Sequence, residues 1–224
     1  MFNEIETYLK GNNISVIKSC NIRQLEKRNQ LFLIHTDEGP IAFDRVISTI
    51  PFKITQQLLS IKSNYSPSYM SLLTLFFRGK ILHSADHIYN YTQRGDWKRL
   101  IVFSKYYGQE KGQDYFSVEI TIDPQKECDT EKEVKAFEQH ARAYGIAENS
   151  SFQGYKIIPF AYPVFIKGEN HNVHTDLEAI RSEGIDLVGR QGTFEYISSN
   201  KTIKTTKQFI KDEFVPSLAN HTHF

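Results

Sequence analysis

The chain has 224 residues and 26.0 kDa, 40% hydrophobic and 24% charged, enough to bury a core without disulfide or metal staples. Lys+Arg 27 against Asp+Glu 26 leaves a net charge of +1 with no long one-signed run, which speaks against nucleic acid as a partner. No apolar run approaches the roughly 20 residues of a membrane span. Residues 1–10 lack a secretory pattern, and Cys20 and Cys128 are too few for a disulfide framework, so the expected compartment is the reducing cytoplasm.

Residues 1–10 read as the end of a helix, with Ile5 and Leu9 four apart and Gly11-Asn12-Asn13 as its stop. Three strands are expected next, over 14–18, 31–36 and 41–50. Asp37-Glu38-Gly39-Pro40 joins the last two, because Asp and Gly tolerate the dihedrals of a short turn. The run Val46-Ile47-Ser48-Thr49-Ile50 has the pattern of a central strand covered on both faces, and Pro51 ends it before a short helix over 52–62. A β-type run at 71–77 and candidates at 87–92, 100–104 and 115–122 predict an antiparallel meander. The clearest amphipathic helix covers 129–144. Asp129 or Thr130 caps it, Glu131 and Glu133 favour its positive end, Val134, Phe137, Ala141 and Tyr144 share one face, and Gly145 stops it. A strand over 155–160, a helix over 176–182, an apolar strand over 185–188 and a terminal helix over 199–215 complete the set, and His221 and His223 follow in a polar tail.

The twelve glycines contain no Gly-x-Gly-x-x-Gly, no P-loop and no Gly-x-Ser-x-Gly elbow. His83 with His87, and His171 with His174, lack a third ligand at a metal-site spacing and read as surface or loop residues. Aromatics reach 13%, a content that fits either a well-filled core or an aromatic-lined ligand cavity. The strand over 185–188 runs directly into Gly189-Arg190-Gln191-Gly192. A glycine loop between strand and helix lets backbone approach an anionic group, with Arg190 adding charge and Phe194 and Tyr196 a flat wall. The same pattern also serves a turn that merely needs glycine.

Residues 44–51 resemble the D-x-V-I-x-T-x-P strand of the FAD-dependent amine oxidase and protoporphyrinogen oxidase superfamily, which also holds UDP-galactopyranose mutase-like proteins. Residues 189–196 resemble its C-terminal flavin motif, G-R-x-G-x-(F/W)-x-Y. Trp97-Lys98-Arg99-Leu100 and Val118-Glu119-Ile120 are similar to a strand pair of its substrate domain, and Ala161-Tyr162-Pro163-Val164-Phe165 is similar to its A-Y-P-V segment. Family members open with a βαβ unit that holds the FAD pyrophosphate over Gly-x-Gly-x-x-Gly. That pattern does not occur here, so the resemblance is to the C-terminal half. Ser198-Ser199-Asn200-Lys201 also departs from the Asn and acid that relatives often carry after this motif.

The resemblance implies an α/β fold: an incomplete FAD/NAD(P)-binding Rossmann-like domain, residues 1–58 and 184–224, interleaved with an antiparallel-sheet-plus-helices substrate domain, residues 59–183. By the same resemblance Gly189, Arg190 and Gly192 approach the flavin's ribityl or pyrophosphate, and Phe194 and Tyr196 lie near the isoalloxazine. Ile22 belongs to the adenine-flanking strand, and Thr49 and Pro51 to the loop beside the nucleotide. Arg99 and Tyr162 face a small-molecule substrate, and no general acid or base is assigned. The implied function is part of a flavin-dependent oxidoreductase of amine oxidase or desaturase type. The FAD-binding half would come from a partner subunit or a missing N-terminal half. The alternatives are a non-enzymatic relative that binds a ligand or partner, and a flavin-dependent sugar mutase. The chain alone is expected to be colourless, to bind FAD weakly or not at all, and to associate through open strand edges.

Overall fold

In a computed structural model of the chain, residues 2–92 and 94–216 are described; the tail with His221 and His223 lies outside them. Helix α1 (Phe2–Gly11) is tied by ion pairs from Glu6 to Lys10 and Lys18. The stretch 14–18 is not a strand: Ile14, Val16 and Ile17 are exposed and no ladder partner lies beside them. Alternation alone does not make a strand; hydrogen-bonded pairing does. The first strand is β1 (Ile22–Arg28), which the residue pattern missed because Leu25 is its only buried residue, although the resemblance placed Ile22 in a strand. It pairs antiparallel with β2 (Leu31–Thr36), and β2 with β3 (Gly39–Phe43) through the expected Asp37-Glu38 turn, where Thr36 Oγ1 donates to Gly39 O at 2.8 Å. Strand β4 (Ile47–Ser48) follows, then Pro51 and α2 (Phe52–Leu58), shorter than predicted, with Phe52 fully buried.

The next stretch folds as one antiparallel sheet. Its strands are β5 (Ser68–Ile81), β6 (His87–Tyr89), β7 (Trp97–Val102), β8 (Asp114–Ile122) and β9 (Ala147–Val164), in spatial order β6-β7-β8-β5-β9. The short helix α3 (Ser104–Tyr107) follows β7, and α4 (Thr130–Ala143) precedes β9. Period-2 alternation sends Leu73, Leu75 and Phe77 of β5, Leu100 and Val102 of β7, and Phe116, Val118 and Ile120 of β8 to one face. Phe137 and Ala141 of α4 close that face, with Phe137 lying 5.0 Å from Phe77 between ring centres. Asp129 caps α4 as expected, accepting from the Lys132 N–H at 3.1 Å, whereas Tyr144 is half exposed and does not share the buried face. The buried Asp114 carboxylate accepts from Ser104 Oγ (2.7 Å), Gln109 Nε2 (3.0 Å) and the Ile81 N–H (2.9 Å). Burial pushes its pKa up, but the three donors outweigh that and hold it below the usual aspartate value.

The chain then forms α5 (Asn170–Ser182), β10 (Asp186–Leu187), the single turn α6 (Gly189–Gly192) and α7 (Ser199–Phe209), which continues as a π-helical turn over Ile210–Phe214. Strand β10 pairs with β4 in parallel, Asp186 opposite Ile47 and Leu187 opposite Ser48. This joins the two motif segments across the length of the chain. The fold is thus α/β, with antiparallel sheets, helices and one parallel strand pair. Burial on both faces of residues 46–50 is not observed: Ile47 is 40% and Ile50 39% exposed, since only one neighbour flanks β4 among the described residues.

Two compact units result, residues 1–66 with 168–224, and residues 67–167. Helix α5 lies in the first of these units. Its Asp176 accepts from Ser63 Oγ at 2.9 Å and lies 3.7 Å from Lys53 Nζ, which also donates to Tyr65 O at 2.6 Å. No helix among the described residues is long and apolar enough to cross a membrane.

Candidate functional site

In the first unit the candidate site is the turn that leaves β10. Gly189 has φ +79°, a left-handed conformation that favours glycine, and a Cβ placed there would meet only Thr202 Cγ2 at 3.7 Å. Gly192 is glycine for a different reason. A Cβ there would sit 2.7 Å from Ser48 O, so the turn packs directly on the backbone of β4. Its part in the motif is therefore accounted for by strand packing.

Arg190 lies with its guanidinium 4.6 Å from the centre of the exposed Tyr196 ring, a cation–π contact. Phe194, also at positive φ (+52°), is buried edge-on against Phe52, with ring centres 5.4 Å apart. It belongs to the core of this unit. Thr49 is exposed, and Pro51 opens α2, where its carbonyl accepts from the Ile54 N–H at 2.8 Å. Beside them Ser48 Oγ and Thr55 Oγ1 share a hydrogen bond of 2.6 Å. Ile22 starts β1, in the three-stranded sheet rather than the parallel pair. Thus Thr49, Pro51, Gly189 and Gly192 are gathered around β4 and β10, Arg190 and Tyr196 touch each other, and Ile22 stands in another sheet.

The parallel pair is clamped on its flank. Arg45 Nε donates to Asp186 Oδ2 at 2.6 Å, and its guanidinium lies 4.7 Å over the Phe214 ring. The outer side of β10 faces a groove of about 470 Å³ bordered by Leu187, Thr205, Phe209, Glu195 and Glu213. Nearby, burial and then Glu169 push the Tyr65 hydroxyl pKa up to about 12. Sequence reasoning missed this Lys53–Tyr65–Asp176 network, whose members share no local motif.

In the second unit one residue row crosses all five strands of the sheet on the face opposite α4. In register it runs Tyr89, Arg99, Glu119, Thr74, Lys156. Arg99 makes a two-pronged contact with Glu119, Nε to Oε2 and Nη2 to Oε1, both 2.8 Å. Those bonds hold the guanidinium even more firmly protonated, against burial, and Tyr89 and Tyr162 add to the effect. Of this row the sequence singled out Arg99 alone as a site residue. Tyr162, on β9 opposite Met70, is near enough to interact with it electrostatically. Glu119 neutralises Arg99, so the arginine acts as a paired hydrogen-bonding group, while Lys156 ends the row as an exposed cation.

Neither a protein-family profile nor a curated protein sequence matches the chain. Solved structures do. A reduced UDP-galactopyranose mutase superposes with a TM-score of 0.70 at 17% identity, over 85% of this chain and 45% of its own. A CLA-producing fatty acid isomerase from P. acnes gives 0.63 at 9% identity (87% and 47%), and a protoporphyrinogen oxidase-like protein from Exiguobacterium sp. 255-15 gives 0.57 at 15% (77% and 42%). The fold is therefore one that these solved structures share over part of their length. At these identities the likeness is one of fold, and the chain spans less than half the length of these proteins.

In open parallel sheets ligands gather beyond the carboxyl ends of the strands, which here is where Thr49, Pro51 and the Gly189–Gly192 turn stand. The donor set fits one flank of a flavin dinucleotide: an open glycine, an arginine and an exposed aromatic ring. It does not amount to a pyrophosphate cradle, since the sequence holds no Gly-x-Gly-x-x-Gly.

Proposed function

We propose that residues 1–224 supply the substrate-facing sheet and one flank of the cofactor site of a flavin-dependent oxidoreductase of the amine oxidase or desaturase type. A polypeptide segment outside these residues, a partner subunit or an N-terminal half, would carry the pyrophosphate loop. The observation that carries the reading is the parallel β4–β10 pair, which brings the Gly189–Gly192 turn against Ser48 at the strands' carboxyl ends. Gly189 would let backbone approach the cofactor, and Arg190, positioned by Tyr196, would face its polar part. Thr49 and Pro51 would border the nucleotide. Bound flavin supplies the redox chemistry. The chain's own residues orient the substrate, through the row Tyr89, Arg99, Glu119 and Thr74 with Tyr162 beside it. The reducing cytoplasm is the compartment this reading implies.

A sugar-mutase reading draws support from the TM-score of 0.70. The Arg99–Glu119 pair leaves Lys156 as the exposed cation of the row, a thinner set of cationic groups than a nucleotide-sugar diphosphate calls for, which favours the oxidoreductase. Absorbance and equilibrium dialysis test the proposal. The chain alone, mixed with FAD, is expected to stay colourless and to show no tight saturable binding. The complex with its FAD-binding segment is expected to be yellow and to bleach anaerobically with a reducing substrate such as an amine. A complex active only after prior reduction, yielding no oxidised product, would establish the mutase instead. A yellow monomer of residues 1–224 with one FAD would remove the need for a further segment.

A further inference from the structure

We propose that the outward face of α7 and of the turn that continues it docks on an anionic lipid bilayer. Lys201, Lys204, Lys207 and Lys211 meet the headgroups, and Ile203 and Ile210 settle among the upper acyl segments. The proposal goes beyond the flavin reading and does not depend on it.

The charge of this helix has one sign. From Tyr196 to Lys211 there are four lysines and no aspartate or glutamate. The lysines stand three, three and four residues apart, so the charge forms a stripe along the helix rather than a run in the chain. All four are exposed, and no ion pair engages any of them among the described residues. Like charges at these spacings repel and weaken a helix. Lys201 also lies in the first turn, where the macrodipole disfavours a cation. The stripe therefore lowers the stability of the helix, and no neighbouring acid among the described residues offsets it.

The stripe points away from the body of its unit. Thr202 packs toward Gly189, whose Cβ position lies 3.7 Å from Thr202 Cγ2, and Thr205 and Phe209 border the groove beside β10. At about 3.6 residues per turn, Lys204 and Lys207 stand roughly 130–170° around the helix from those three, with Lys211 continuing their line and Lys201 at its flank. Ile203 and Ile210, seven residues apart, border the stripe and are 55% and 43% exposed. Asp212, the first acid beyond the lysines, accepts from Gln208 Nε2.

An anionic lipid surface uses every part of this face. Ammonium groups meet the charged headgroups, lysine stems lie along the apolar boundary, and the isoleucines find hydrocarbon. A cluster of about four or more basic residues on an amphipathic helix suits such a surface, each adding about fivefold in affinity. Nucleic acid fits less well. Its phosphates would leave Ile203 and Ile210 in water, α7 carries no arginine, and its one aromatic residue, Phe209, borders the groove instead. An acidic protein would satisfy the lysines but would need an apolar stripe of its own to cover the isoleucines.

Vesicle flotation of the full chain tests the proposal, because bound chain rises with the vesicles whereas self-associated chain sinks. Phosphatidylcholine vesicles are used with and without phosphatidylserine. The expected result is flotation with the anionic vesicles only, weakened about tenfold or more as salt rises from about 0.1 to 0.5 M. Lys204→Gln with Lys207→Gln should weaken binding about 20-fold, and Lys204→Arg with Lys207→Arg should retain it. Ile203→Ser with Ile210→Ser should weaken it about tenfold. Circular dichroism of each variant should match the parent chain. No flotation with anionic vesicles, equal flotation with neutral ones, or unchanged binding after loss of the two lysines or of the two isoleucines would overturn the proposal. Retention on polyglutamate or single-stranded DNA without flotation would overturn it in favour of an acidic protein or a nucleic acid. Every readout is made without flavin, so failure of the flavin reading leaves these outcomes as they stand.

Discussion

Val118 and Ile47 are both β-branched strand residues, yet Val118 is fully buried and Ile47 is 40% exposed. Val118 lies in a strand hydrogen-bonded on both sides, under a helix that supplies Phe137 and Ala141. Ile47 lies in a two-residue strand with one neighbour. The sheet of residues 67–167 closes its core with its own helix, while the parallel pair of the other unit has the sequence of a sheet interior without the strands to surround it. The difference teaches that β-branched composition alone does not bury a strand: Val118 has neighbours on both sides and a helix above, Ile47 a single neighbour among the described residues.

Substitutions can break or sharpen that contrast. The largest effect is expected from Phe137→Ala, which empties the space between α4 and the sheet. Chemical denaturation should show a loss of about 3–5 kcal/mol. Next comes Asp114→Asn, which removes the charged acceptor of three buried hydrogen bonds at about 1.5–3 kcal/mol. Because the carboxyl of Asp114 is held below its ordinary 3.8, its contribution is complete above that pH and is lost as pH falls through the lowered value. Urea midpoints measured from pH 7 to 2 should therefore fall less steeply below about pH 4 in the variant than in the parent chain.

Gly192→Ala forces a methyl against Ser48 O and should cost about 1–3 kcal/mol, read as faster exchange of the Asp186 and Val188 amides. Arg99→Lys replaces a two-pronged contact by a point charge. Its stability cost should not exceed about 1 kcal/mol, since the pair is a third exposed on the arginine side. The smallest effect belongs to Ile47→Ser, within about 0.5 kcal/mol in the isolated chain. If it destabilised the chain as much as Phe137→Ala, the contrast between a closed and an open sheet would fail.

Much of the closed sheet was legible in the sequence because its signals are local. The Asp129 cap and the alternation of Phe116, Val118 and Ile120 each act within a few residues, as does the Asp37–Pro40 turn in the other unit. The strand β1 was not legible, since Ile22–Arg28 buries only Leu25 and is held by its partner's backbone. Nor was the polar row, because Tyr89, Glu119, Thr74 and Lys156 meet Arg99 only through strand register. At the turn after β10 the motif did not reveal the separate structural duties of its residues. Gly192 answers to a carbonyl on β4 and Phe194 to Phe52, neither of which is near in sequence.

The pairing of Ile47 with Asp186 also sets an order of events on the ribosome. Residues 67–167 are contiguous, so their sheet can form as soon as that stretch has left the exit tunnel. Strand β4 emerges before all of them and then waits for a partner about 140 residues further along, Ile47 pairing with Asp186. At about 5–20 residues per second that wait lasts on the order of 10–30 s. Throughout it Ile47 and Ile50 are a nascent sticky segment, which makes that interval the period when a chaperone has most to contribute.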